Sequence, residues 1–88
     1  MLEIQTTTDC VKKAEEIVEE AKTVSTKEEH AKVWDKKVEV LRIVNGCLST
    51  GGFEGKAYEE LWKAKHLLYR AEEIAGNRAL ETYANEEQ

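Results

Sequence analysis

LSTGGFEGKAYEEL, spanning Leu48 to Leu61, places three of the chain's five glycines within five positions and follows them with a lysine. Two readings compete for it. A phosphate-binding P-loop needs a glycine, four residues and then Gly-Lys-Ser/Thr, set between a strand and a helix. Gly55-Lys56 fits the second half, but the first glycine would fall on Thr50 and the hydroxyl residue on Ala57. The dinucleotide pattern fails too, because the spacing is Gly-Gly-x-x-Gly and no βαβ unit surrounds it. The stretch therefore reads as the corner between two helices. Its glycines would permit positive φ at the end of one helix, and Phe53 would plug the end of the bundle. A weaker anion-binding reading survives, since free amides at a helix start attract negative charge and Lys56 stands beside them.

Downstream of the corner, Ala57, Leu61, Ala64, Leu68, Ala71 and Ala75 recur at alternating spacings of four and three. This is a narrow small-residue seam, the pattern of closely packed antiparallel helices. Leu67 and Ile74 widen it on one side. Tyr58, Trp62 and Tyr69 lie on the other, with Lys65 among them, offset by about 100°. Gly76 predicts a stop, and Asn77 a cap for a short last helix carrying Leu80 and Tyr83.

Upstream, Asn45-Gly46 or Gly51 ends the second helix. One face of it carries Ala31, Trp34, Val38, Leu41, Asn45 and Leu48, and a second stripe carries Val33, Val40, Val44 and Cys47. Asn45 on an apolar face either fixes register or caps an early helix end. The first helix starts with Thr7 or Thr8 as cap and buries Cys10, Ala14, Ile17, Ala21 and Val24, against a charged opposite face. Ser25 with Glu28, or Thr26 with Glu29, forms a capping box between the two helices. The connection is short, so the helices are antiparallel neighbours. The expected fold is all-α: a small antiparallel three-helix bundle with a short C-terminal fourth helix, the helices spanning approximately 8–24, 26–49, 54–75 and 78–84 of a single domain.

Composition narrows the function classes. Eighty-eight residues with no proline and 35% charged residues suit one helical domain, and such a chain has modest stability as a monomer. Oligomerisation is a common remedy. The net charge is −5 and no segment is strongly basic, which disfavours binding to a nucleic acid polymer. No apolar run is long enough for a bilayer, and MLEIQTTTD has no signal-peptide character, so a cytoplasmic location is expected. Cys10 and Cys47 read as free thiols acting as small hydrophobes.

Catalytic and metal chemistry find little to work with. Three residues before His30 and His66 stand Lys27 and Lys63, so the Glu-x-x-His pattern of di-metal bundles fails twice. No cysteine pair has zinc spacing. Both cysteines lie on apolar stripes, where a thiol is inert. Adjacent glutamate pairs such as Glu15–Glu16 and Glu59–Glu60 diverge by about 100° and read as solvated faces. No enzyme activity, cofactor or metal is expected.

The aromatic strip is surplus to a bundle that one seam can pack, and aromatics suit interfaces. The leading expectation is a small acidic helical interaction module, self-associating and binding a protein partner as an inhibitor, adaptor or regulator. Small accessory and phage-encoded regulators are comparable in size and composition. Its interface residues would be Val33, Val40, Val44, Tyr58, Trp62 and Tyr69. The alternative is an oligomer that sequesters a nucleotide-like anion between chains. There, Tyr58, Trp62 and Tyr69 would stack on its ring, and Lys56, Lys65 or Arg70 would meet its phosphates.

Overall fold

The computed structural model describes residues 6–82, which form three helices and no strand: α1 (Thr7–Ala21), α2 (Lys27–Thr50) and α3 (Lys56–Glu81). Every pair of helices is in contact, and α1 packs most extensively on α3. One apolar core joins all three.

Each boundary has a local cause. Thr6, rather than Thr7 or Thr8, caps α1. Its hydroxyl accepts from the Asp9 amide while the Asp9 carboxylate accepts from the Thr6 amide, a reciprocal box. That choice frees the Thr7 and Thr8 hydroxyls to donate to the two carboxylate oxygens of Glu60 in α3, at 3.0 and 2.9 Å. The first helix ends at Ala21, three residues earlier than its periodicity suggests, yet Val24 is still buried beyond it.

Thr26 caps α2, and Glu29 serves both hydroxyl residues before it. Its Oε1 accepts from the Ser25 amide, the Ser25 hydroxyl and the Thr26 hydroxyl. These bonds hold the Glu29 carboxyl below the usual range, those from Ser25 most of all. A depressed carboxyl stabilises the fold above its unfolded pKa, and the contribution is lost as pH falls through the folded value. Glu28, the other candidate, is not used. The helix runs through Asn45-Gly46 and stops at Gly51, whose φ is +75°.

The glycine corner behaves as a corner. Gly51, Gly52 and Gly55 all have positive φ, and half-buried Phe53 packs against the core. The expected stop at Gly76 does not occur: α3 continues to Glu81, and no separate helix begins at Asn77. A glycine stop requires positive φ, which Gly76 lacks. Packing explains the continuation. Ala75 and Ala79 extend the buried seam by another turn, and Arg78 Nε donates to the Val24 carbonyl at 3.0 Å, tying the end of α3 to the end of α1. Tyr83 and Ala84, also expected in a last helix, lie outside the described residues.

These ties orient the chain. Glu60 meets the start of α1 and Arg78 the segment after its end, so α1 and α3 run the same way, while Lys36 of α2 reaches back to both oxygens of Glu20 at 2.8 and 2.9 Å. Two substitutions test the local accounts with opposite sign. Thr26→Ala should lower stability by about 1 kcal/mol through loss of the cap. Gly76→Ala should raise it by about 0.5–1 kcal/mol, because an added Cβ meets open space in a helical backbone. Urea denaturation at low micromolar chain reads both.

Candidate interaction face

The α3 seam is buried from Leu61 onward as its spacing predicts, with Leu61, Ala64, Leu68 and Ala71 fully inaccessible, while Ala57 at its start is half-buried. On α2 the buried set is Val33, Lys37, Val40 and Val44. Three of these were expected on an intermolecular interface; the structure places them in the chain's own core. At the start of the other stripe Ala31 is exposed and Trp34 43% exposed, whereas Leu41 and Leu48 further along it are half-buried against the core. The choice follows from small size. Val33, Lys37, Val40 and Val44 recur at four-three-four spacing, and the short β-branched valines let the backbones approach, which a tryptophan would prevent.

Lys37 completes that buried seam and was not singled out by sequence reasoning, although its place between Val33 and Val40 was a signal. Its stem is packed away and its side chain is 7% exposed. The ammonium pairs with Glu72 of α3 at 3.1 Å and lies 3.8 Å from the Trp34 ring centroid. A buried ammonium needs such partners, since an unpaired one is costly. The α2–α3 contact is therefore closed at its edge by a salt bridge under an indole.

The aromatic strip lies just beyond this edge. Tyr58, Trp62 and Tyr69 are 47%, 39% and 48% exposed, and Leu80 is 62% exposed. Helical geometry says which way they face. On α3, Glu60 and Arg78 reach α1 and Glu72 reaches α2; the aromatics lie past Glu72, away from α1. On α2, Lys36 reaches α1 and Lys37 reaches α3; Trp34 lies past Lys37, again away from α1. Trp34 and the α3 strip thus flank the same groove on its outer side. Each aromatic carries about 150–250 Å² of surface, so the four expose roughly 300–400 Å² together, a size that is often functional.

Within the strip, Tyr58 meets Trp62 edge-on at 6.4 Å, Trp62 meets His66 at 6.1 Å, and Lys65 Nζ stands 5.1 Å from the Trp62 centroid. The remaining candidate ligand residues are not gathered here. Lys56 lines a separate groove with Val11, Glu59, Glu60 and Lys63. Arg70 follows Tyr69 by one residue and therefore points about 100° away from it. At the start of α3, Gly55 caps without a side chain, but Glu59 already places a negative charge in the first turn. A shallow groove of about 390 Å³ beside Trp34 is lined by α2 alone, through Lys27, His30, Ala31, Trp34 and Asp35.

Among the described residues no group of three His, Cys, Asp or Glu side chains is placed to hold a metal, and no helix is long and apolar enough to cross a membrane. Burial pushes the Cys10 thiol up, and nearby Cys47 and Asp9 add to the rise. Comparison with protein families, curated proteins and solved structures gave no match.

Two measurements check this geometry. Glu72→Ala should destabilise the fold by about 2 kcal/mol, because the Lys37 charge loses its counter-ion, whereas Lys37→Met should be neutral or stabilising. The reverse order in thermal denaturation would contradict the packing of Lys37. Iodoacetamide at neutral pH should alkylate Cys10 at least tenfold more slowly in the native protein than in urea, and equal rates would show that the thiol is accessible.

Proposed function

We propose that this chain is a small interaction module: an antiparallel three-helix bundle that self-associates and binds a protein partner, in the manner of an inhibitor, adaptor or regulator. The observation that carries this reading is the second seam on α3. Tyr58, Trp62 and Tyr69 each follow a residue of the inward seam (half-buried Ala57, buried Leu61 and Leu68) by one position, and they stay nearly half exposed after all three helices have packed. Trp34 extends the surface onto α2. Exposed Tyr and Trp side chains are what interface cores enrich. Two thiols left unpaired suit a reducing compartment such as the cytoplasm.

Sequestration of a nucleotide-like anion is the second reading, and it rests on Lys65 beside Trp62. It is weaker because Lys56 and Arg70 stand apart from the rings, leaving Lys65 to meet the charge.

Quantitative capture from native extract, comparing the wild type with a Trp62→Ala/Tyr69→Ala variant, tests the leading reading. A partner held stoichiometrically by the wild type and lost by a folded variant is expected. Identical captures would refute a role for this face. Saturable quenching of indole fluorescence by nucleotides, absent in Trp62→Phe, would move the conclusion to sequestration.

A further inference from the structure

Gly76 is hard to explain within one chain. It lies inside a helix, where glycine is less favourable than alanine by about 1 kcal/mol. Its φ is not positive, and among the described residues no atom approaches the place a Cβ would occupy. Among the described residues neither a turn nor a close contact requires it. Gly76 does, however, continue the outward seam, one position after Ala75.

That seam has an internal symmetry centred on Tyr69. Lys65 and Glu73 lie four residues before and after it, Trp62 and Gly76 seven, and Tyr58 and Leu80 eleven. Four, seven and eleven are the spacings that return to one helix face. Reversing the helix about Tyr69 therefore sets the largest side chain opposite the one position without a side chain. It sets a lysine opposite a glutamate and a tyrosine opposite a leucine. Among the described residues Lys65 makes no ion pair, only the contact with Trp62, and Glu73 has no partner. His66 falls opposite Glu72, whose carboxylate already takes Lys37.

We propose that two copies of this chain pair α3 against α3, antiparallel, about a two-fold axis at Tyr69, with Trp62 of each copy seated over Gly76 of the other and Lys65 paired with Glu73. The inference rests on the interaction reading above and names the surface's first occupant, a second copy. A two-fold contact is self-complementary by construction, so each favourable pair occurs twice. A parallel pairing would instead stack Lys65 on Lys65 and Glu73 on Glu73, and leave no hole for the indole. The area is adequate for a reversible dimer. The strip from Tyr58 to Leu80 is about 33 Å long at 1.5 Å per residue. With the flank of α2 beside it, at about 10 Å per helix, each face covers roughly 650 Å². A standard stable interface buries about 800 Å² per partner.

Analytical ultracentrifugation of the full chain at concentrations from about 1 to 200 µM, together with charge reversal, tests the pairing. The wild type is expected to pass from its 10.0 kDa monomer mass to twice that value across the range. Lys65→Glu alone and Glu73→Lys alone should each weaken dimerisation at least tenfold, because both place like charges at two symmetric positions. Mixing the two variants should restore the dimer, since each chain then supplies what the other lacks. Gly76→Gln should remain folded, with helix content unchanged, and stay monomeric because its side chain fills the seat of Trp62.

A wild type monomeric throughout overturns the proposal, as does a mixture that fails to pair, or a Gly76→Gln variant that dimerises like the wild type. A monomer that still loses its captured partner in the Trp62→Ala/Tyr69→Ala variant would overturn the two-fold pairing alone and keep the interaction reading. Loss of neither dimer nor partner in that variant would sink both.

Discussion

The arrangement depends on one helix having two neighbours. The third helix must pack α1 on one flank and α2 on the other, and it can do so because its seam is mostly alanine. Ala64, Ala71, Ala75 and Ala79 let the neighbouring backbones approach, while Leu61 and Leu68 fill the space between them. The polar ties follow that packing. Glu60 and Arg78 close the α1 flank at its two ends, and Glu72 closes the α2 flank. Three helices sharing a thin seam cannot also cover the outer side of α3, so the aromatics remain outside.

The edge of the α2–α3 contact shows how charge and packing are combined in a small domain. A lysine occupies a seam position that a leucine would fill in a larger core. Its stem is buried as hydrocarbon, and its ammonium is held between a carboxylate and an indole. Such a pair adds little net stability over an apolar substitute. It does set a direction, because only one side of α2 can present Lys37 to Glu72, and that fixes which side Trp34 must occupy.

Much was legible in the chain before its structure. The seams of α1 and α3 follow from residue spacing, and the glycine corner follows from the failure of every phosphate-loop spacing together with three glycines able to take positive φ. The errors were of two kinds. At Gly76 a local stop signal lost to the tertiary gain of burying Ala79 and anchoring Arg78. On α2 two apolar stripes competed, and the valine stripe expected at an intermolecular interface is buried in the chain's own core. The valine stripe turns fully inward because it is thin and because a lysine in its gap finds a partner on α3, while Leu41 and Leu48 of the other stripe pack half-buried against the core. The candidate site was half visible: Tyr58, Trp62 and Tyr69 stood out as surplus, whereas Gly76 and Leu80 joined them only once α3 was continuous.

Residue order alone determined that this chain is helical, where its first and third helices bury their faces, and that Leu48–Leu61 is a turn between helices. These properties depend on local dihedral preference and on periodicity, which are written in neighbouring residues. Tertiary structure decided which stripe of α2 turns fully inward, how far α3 extends, and which aromatics remain exposed. Those outcomes depend on what the other two helices present at each position, and no single helix contains that information.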